Sequence, residues 1–199
     1  MPNEPKLRTV NKAKPPYELN KFPPSFVETL GKELVYLMAT KDSYSLEGNE
    51  WEQIFANCIN ATWKPSNVGL DDIILGSCCW GAKTVIASSK NILSQKTVRL
   101  ISGRNSPAYS FEEDNILHQD PNYIGSLVLD IWNERVSAVR QIYKFVRTVV
   151  LIKGKTFDEF MVFETDTVRY DPELYKFKWN KNCLLYTSPS PRDRSVSRM

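Results

Sequence analysis

Apolar residues recur along this chain with two periods, three-to-four and two, and the points where one gives way to the other set the expected elements. Over residues 26–39, Phe26, Leu30, Leu34 and Leu37 fall on one side of a helix that Ser25 is suited to cap. Over residues 49–63, Trp51, Ile54, Phe55, Cys58, Ile59 and Thr62 make the clearer buried stripe of a second helix. Between residues 69 and 88 the pattern shortens to Ile-, Val- and Cys-rich runs broken at Gly76-Ser77, which predicts a β-hairpin. Residues 97–102 form another strand candidate, ended by Gly103 and Pro107, and residues 111–121 read as an acidic loop. Residues 123–145 predict a long helix with Ile124, Leu127, Val128, Ile131, Val139 and Ile142 inward, and residues 146–153, 159–170 and 175–179 read as strands. This order predicts an α/β (α+β) domain in which helices flank a mixed β-sheet.

The ends of the chain differ from its middle. Residues 1–24 contain Pro2, Pro5, Pro15, Pro16, Pro23 and Pro24 among scattered lysines, the composition of a Pro-rich N-terminal arm rather than a core element. Residues 25–182 suffice for a single domain with a sizeable core. Residues 183–199, opening Cys183-Leu184-Leu185-Tyr186-Thr187-Ser188-Pro189-Ser190-Pro191-Arg192-Asp193, resemble a translated sequencing-library adapter. That resemblance implies a non-native tail and a domain left incomplete, with its sheet interrupted where the tail begins.

Charge changes accordingly. The whole chain has 26 Lys and Arg against 23 Asp and Glu, a net +3; setting aside three arginines and one aspartate of the tail leaves 23 against 22, or +1. Bulk basicity therefore does not point to nucleic acid, and any such affinity must come from local clusters. No apolar run nears the roughly 20 residues that span a bilayer, and Met1-Pro2-Asn3-Glu4-Pro5 lacks a secretory signal's apolar segment, so a cytoplasmic protein is expected. Cys58, Cys78 and Cys79 lack the spacing of a disulfide framework or a zinc site. His118 reads as a surface imidazole and the five tryptophans as core.

The stretch from Asp71 to Val85 offers candidate chemistry. With Ser77-Cys78 as a two-residue turn, 76 would pair with 79, 74 with 81, and Asp72 with Lys83. A carboxylate facing an amine suits phosphodiester hydrolysis, in which a metal-bound water attacks and the lysine offsets phosphate charge. Trp51-Glu52 on a helix, then Asp72, then Gly81-Ala82-Lys83-Thr84, resembles in order the PD-(D/E)xK nuclease superfamily, which includes type II restriction endonucleases. The resemblance spans residues 49–85. It implies a restriction-endonuclease-like fold and Mg²⁺-dependent hydrolysis of DNA phosphodiester bonds. Asp72 and Glu52 would then be metal ligands, with the Ala82 carbonyl as a third and Lys83 as the group that orients water. It also implies a homodimer on double-stranded DNA and a partner methyltransferase acting on the same site. Gly81 departs from the family, since it stands where an acid is expected. Either a later carboxylate, Glu134, replaces it, or the chain is a catalytically inactive DNA-binding module.

Each of these residues also has a structural reading. Asn49 and Glu52 fit a capping box, Asp71 and Asp72 a polar strand entry, and Lys83 a solvated strand lysine. Glu134 and Arg135 fit an exposed helix face. For DNA contact the candidates are Arg99, Arg104 and Asn105, at and beyond a strand end, with Arg104 and Asn105 able to pair with base edges. Arg135 and Arg140 are candidates for phosphates. A turn is the alternative role of Asn105.

Overall fold

In a computed structural model the chain is a mixed α+β protein, described over residues 13–41, 45–66, 68–88, 90–95, 98, 119–180 and 183–189. Helix α1, Phe26–Thr40, buries Phe26, Leu30 and Leu34 as its spacing predicts, although Ser25 makes no side-chain cap bond. Helix α2, Gly48–Cys58, begins on a capping box two residues earlier than expected. Glu47 is the N-cap and its amide donates to Glu50 Oε2 at 2.8 Å, which leaves Glu52 free of that role. The helix also ends before residue 63. Asn60 adopts a left-handed φ of 57°, and its amide and that of Ala61 return to the carbonyls of Asn57 and Ala56. This is the Schellman closure that a left-handed residue permits.

A five-stranded sheet follows in the order β1-β2-β3-β4-β5, comprising Thr62–Trp63, Ile73–Leu75, Cys78–Ile86, Phe145–Lys153 and Phe160–Asp166. The first three strands are antiparallel. The expected hairpin forms with a different register: Leu75 pairs with Cys78, Ile74 with Cys79 and Ile73 with Trp80. Gly76-Ser77 is thus the turn. Gly76, at φ 60°, supplies the left-handed first position that a two-residue hairpin turn accepts. Amide bonds from Phe145 to the Ser77 carbonyl and from Ala87 to the Lys153 carbonyl run β4 parallel to β3. A parallel neighbour requires a long crossover, and this one carries helix α3, Pro121–Ile142. Strand β4 is buried from Val146 to its end, as an inner strand covered on both faces should be.

Two compact units are delineated. The first comprises Met1–Thr84, Ile142–Leu151 and Val162–Asp166. Its core is aromatic: Trp51, Phe55 and Trp80 are fully buried, Phe55 meets Trp51 at 5.5 Å and Trp80 at 6.0 Å, and Phe22 stacks on Phe26 at 4.2 Å. Residues 13–25 precede the first helix without a strand of their own, yet Tyr17 and Phe22 pack into this core. The N-terminal arm is thereby a core element from Tyr17 onward, in contrast to the expectation from its prolines.

The second unit comprises Val85–Gln141, Ile152–Met161 and Thr167–Met199. Here α3 captures the chain that follows β5. Trp132 Nε1 donates to the Val168 carbonyl at 2.8 Å and Arg140 to that of Thr167 at 2.7 Å. Asn133 binds both the amide and the carbonyl of Tyr170. These side chains take the backbone groups that a longer strand would need, so β5 stops at Asp166 and not at residue 170. Strand β6, Tyr175–Asn180, pairs antiparallel with β7, Cys183–Pro189, the stretch that resembles an adapter. The Phe177 ring lies directly over Gly125, where a Cβ would come within 2.1 Å of it.

Candidate functional site

Asp72 is buried and committed to the loop that leads to it. Its Oδ1 accepts from the Ser66 amide at 3.0 Å, and its carbonyl accepts from Lys64 at 2.8 Å. Strand pairing stops at Ile73, whose partner is Trp80, so Asp72 and Lys83 are not cross-strand partners as the expected register had them. The pairing is tighter by two residues because the turn is at Gly76-Ser77. Lys83 is half-buried on β3, and Ala82 beside it is buried. Glu52, half-buried on α2, accepts from Trp63 Nε1 at 3.2 Å. On α3, Glu134 is exposed and Arg135 half-buried. Arg99, Arg104, Asn105 and His118 lie outside the described residues.

Gly81 has a structural cause. A Cβ built on it would sit 2.9 Å from the Gly69 carbonyl oxygen and 3.0 Å from the Leu70 Cα. Both are backbone atoms, which cannot swing aside as a side-chain tip can. The space a side chain at residue 81 would need is therefore filled by crossing backbone. Among the described residues, no group of three or more His, Cys, Asp and Glu side chains gathers to hold a metal ion. With Gly81 closed to a side chain and Asp72 turned to the Ser66 amide, the described residues do not fit a Mg²⁺ site. No family model, curated protein or solved structure matches the chain.

Among the described residues, the densest polar constellation is elsewhere, and sequence reasoning passed over it. Glu164 on β5 and Arg147 on β4 are buried and paired, Oε2 to a guanidinium nitrogen, at 3.3 Å. Trp80 Nε1 donates to Glu164 Oε1 at 2.6 Å and the Tyr17 hydroxyl donates to the same oxygen at 2.7 Å. Asn20 closes the group: its amide donates to Glu164 Oε2, and its side chain bonds both the amide and the carbonyl of Glu164. Arg147 donates in turn to the Tyr17 carbonyl at 2.9 Å and lies 5.3 Å from the centre of that ring. Its Nε is buried without a hydrogen-bond partner. Burial first, then the Glu164 carboxylate, pushes the Tyr17 hydroxyl far above the usual phenol range, so it stays a donor. A signal was present in the sequence: Arg147 and Glu164 are opposite charges, Arg147 inside the apolar run of one recognisable strand and Glu164 directly after the apolar run Phe160-Met161-Val162-Phe163 of another. Enclosed and, apart from Arg147 Nε, hydrogen-bonded to one another, these groups serve to fasten residues 17–20 to the sheet.

The described thiols are equally enclosed. Cys58, Cys78 and Cys79 are buried thiols outside any disulfide. Burial pushes Cys58 up to about 12, with Glu33 adding to it. Burial does the same for Cys78, also to about 12, opposed by Arg147 and aided by Glu164 and Asp166. Because the folded chain holds these protons more tightly than the unfolded one, their contribution to stability is complete below the ordinary thiol value near 9.0. It falls as pH rises through about 12. Urea unfolding followed by tryptophan fluorescence should show a midpoint that declines above pH 9, and a thiol reagent at pH 8 should label Cys58 and Cys78 only upon unfolding. Prompt labelling of either in the native protein would contradict their enclosure.

Proposed function

We propose that this chain is a DNA-binding domain on a restriction-endonuclease-like fold whose described residues bind without cutting. The order of helix α2, Asp72 and a β3 strand carrying Ala82-Lys83 supports the family resemblance. The single observation that directs it to binding is the backbone packed against Gly81, which removes the acid a metal-dependent cleavage site needs. Lys83 and Arg135 are the described cations that would meet phosphates, and Arg99, Arg104 and Asn105 the candidates for bases. Duplex DNA is the partner, and a methyltransferase sharing the same site belongs with the restriction reading.

A gel-shift titration with duplex DNA, run beside a plasmid-nicking assay, tests this. Retarded DNA is expected with or without chelator, with weaker binding at higher salt because phosphate contacts release counterions, and with intact plasmid in Mg²⁺. The second reading is Mg²⁺-dependent cleavage, favoured by the presence of Glu52, Asp72 and Lys83 in the family's order. It requires nicking that chelator and Lys83→Ala both abolish. An absence of both retardation and nicking would remove the DNA assignment altogether.

A further inference from the structure

Strand order places β5 at one edge of the five-stranded sheet, and its short connection from β4 makes the two strands antiparallel. The amide and carbonyl of a strand residue point to the same side, and that side alternates along the strand. Glu164 turns its pair outward, since its amide donates to Asn20 Oδ1 at 2.6 Å and its carbonyl accepts from Asn20 Nδ2 at 3.0 Å. Val162, two residues away, turns its pair to the same edge. Among the described residues, no loop or side-chain hydrogen bond reaches the Val162 backbone. An outer edge that carries the apolar run Phe160-Met161-Val162-Phe163 and no proline is a template for another strand.

The arm meets this edge without becoming a strand. The Asn20 carboxamide gives the Glu164 backbone one acceptor and one donor, as the facing residue of a hydrogen-bonded antiparallel pair would. The ladder goes no further, because Asn20 has a left-handed φ of 61° and the Lys21 amide folds back to the Glu18 carbonyl at 2.9 Å. Pro15-Pro16 and Pro23-Pro24 bracket this turn, and none of the four has an amide to offer a ladder. The Asn20 amide and the Tyr17 hydroxyl hold the turn on the Glu164 carboxylate, and Phe22 seats it on Phe26. We infer that residues 17–22 are a guard strap, which occupies the outward groups of Glu164 with a side chain and so keeps a further β-strand off the β5 edge. The strand it excludes is β5 of another copy, whose edge carries the same apolar run, and that pairing follows only when the strap is lost. This inference is independent of the DNA-binding reading.

Asn20→Gly in the full chain tests it, because glycine keeps the left-handed backbone without strain and removes the carboxamide alone. In hydrogen exchange followed by NMR, the Glu164 amide should quicken about tenfold relative to the Val149 and Val150 amides of the sheet core, the worth of one hydrogen bond. Thioflavin T fluorescence of the variant should rise at concentrations where the wild type stays flat. Val162→Pro removes an outward amide that β4 does not use, so adding it to Asn20→Gly should return the fluorescence to the wild-type trace. A Glu164 amide that gains nothing on the core amides overturns the inference, as does fluorescence that does not distinguish Asn20→Gly from the wild type. So does a rise that Val162→Pro leaves in place, which would trace association to general destabilisation and not to the β5 edge.

Discussion

Gly81→Asp is expected to destabilise or unfold the protein rather than to complete a metal site. Its Cβ would need the space held by the Gly69 carbonyl oxygen at 2.9 Å and the Leu70 Cα at 3.0 Å. Even Gly81→Ala should cost about 1–3 kcal/mol, the usual penalty of overpacking a close contact. Aspartate adds the burial of a carboxylate, which is costly unless it is paired. Chemical denaturation of the two variants gives the penalties, and isothermal titration with Mg²⁺ shows whether aspartate brings metal binding. A Gly81→Asp protein as stable as the wild type that also acquires Mg²⁺ binding would mean that the backbone yields at this point, and the cleavage reading would then regain its missing ligand.

The second large effect concerns Glu164. Glu164→Ala leaves Arg147 as an uncompensated buried charge, which typically costs about 3–5 kcal/mol. It also removes the acceptor of the Trp80 indole and the Tyr17 hydroxyl. Glu164→Gln keeps the size and an acceptor oxygen but loses the charge, so its cost should be smaller. In many proteins a buried ion pair exchanges for apolar residues at little cost. Here Glu164→Leu combined with Arg147→Met should remain clearly destabilised, because Trp80, Tyr17 and Asn20 would still hold unmet donors. Urea midpoints of the four variants give the ranking. Limited proteolysis adds a separate readout, since cleavage between residues 13 and 22 should quicken in Glu164→Ala as the segment detaches. A double variant as stable as the wild type would show that the surrounding donors carry no weight.

These two sites differ in how far the sequence disclosed them. Gly81 could be read as a departure from a motif, but its reason could not, because Gly69 and Leu70 approach it only through the way the chain enters β2. Arg147 and Glu164 could each be seen as a charge within or directly after the apolar run of a strand, but no local pattern says that they face one another. Nor does one say that Tyr17, 147 residues before Glu164, comes to lie on the same carboxylate. The candidate metal ligands were chosen by order along the chain. Order survives folding, whereas cross-strand pairing depends on a turn that a shift of Gly76-Ser77 against Ser77-Cys78 alters by two residues.

By itself, the sequence determined the elements and their class: α1, α2 and α3 from the three-to-four spacing of their buried residues, the β2–β3 hairpin from its glycine, and β4 from a continuous apolar run. Such periodicity is a property of neighbouring residues and needs no knowledge of the rest of the chain. Tertiary structure alone decided where elements stop, which register the hairpin takes and which polar groups meet. Asn60 turns the chain out of α2, and Trp132, Asn133 and Arg140 draw residues 167–170 away from β5. Glu164 collects partners from three distant segments. The physical reason is the same in each case: a buried backbone or charged group must find a hydrogen-bond partner, and that partner is set by proximity in space, which local spacing does not encode.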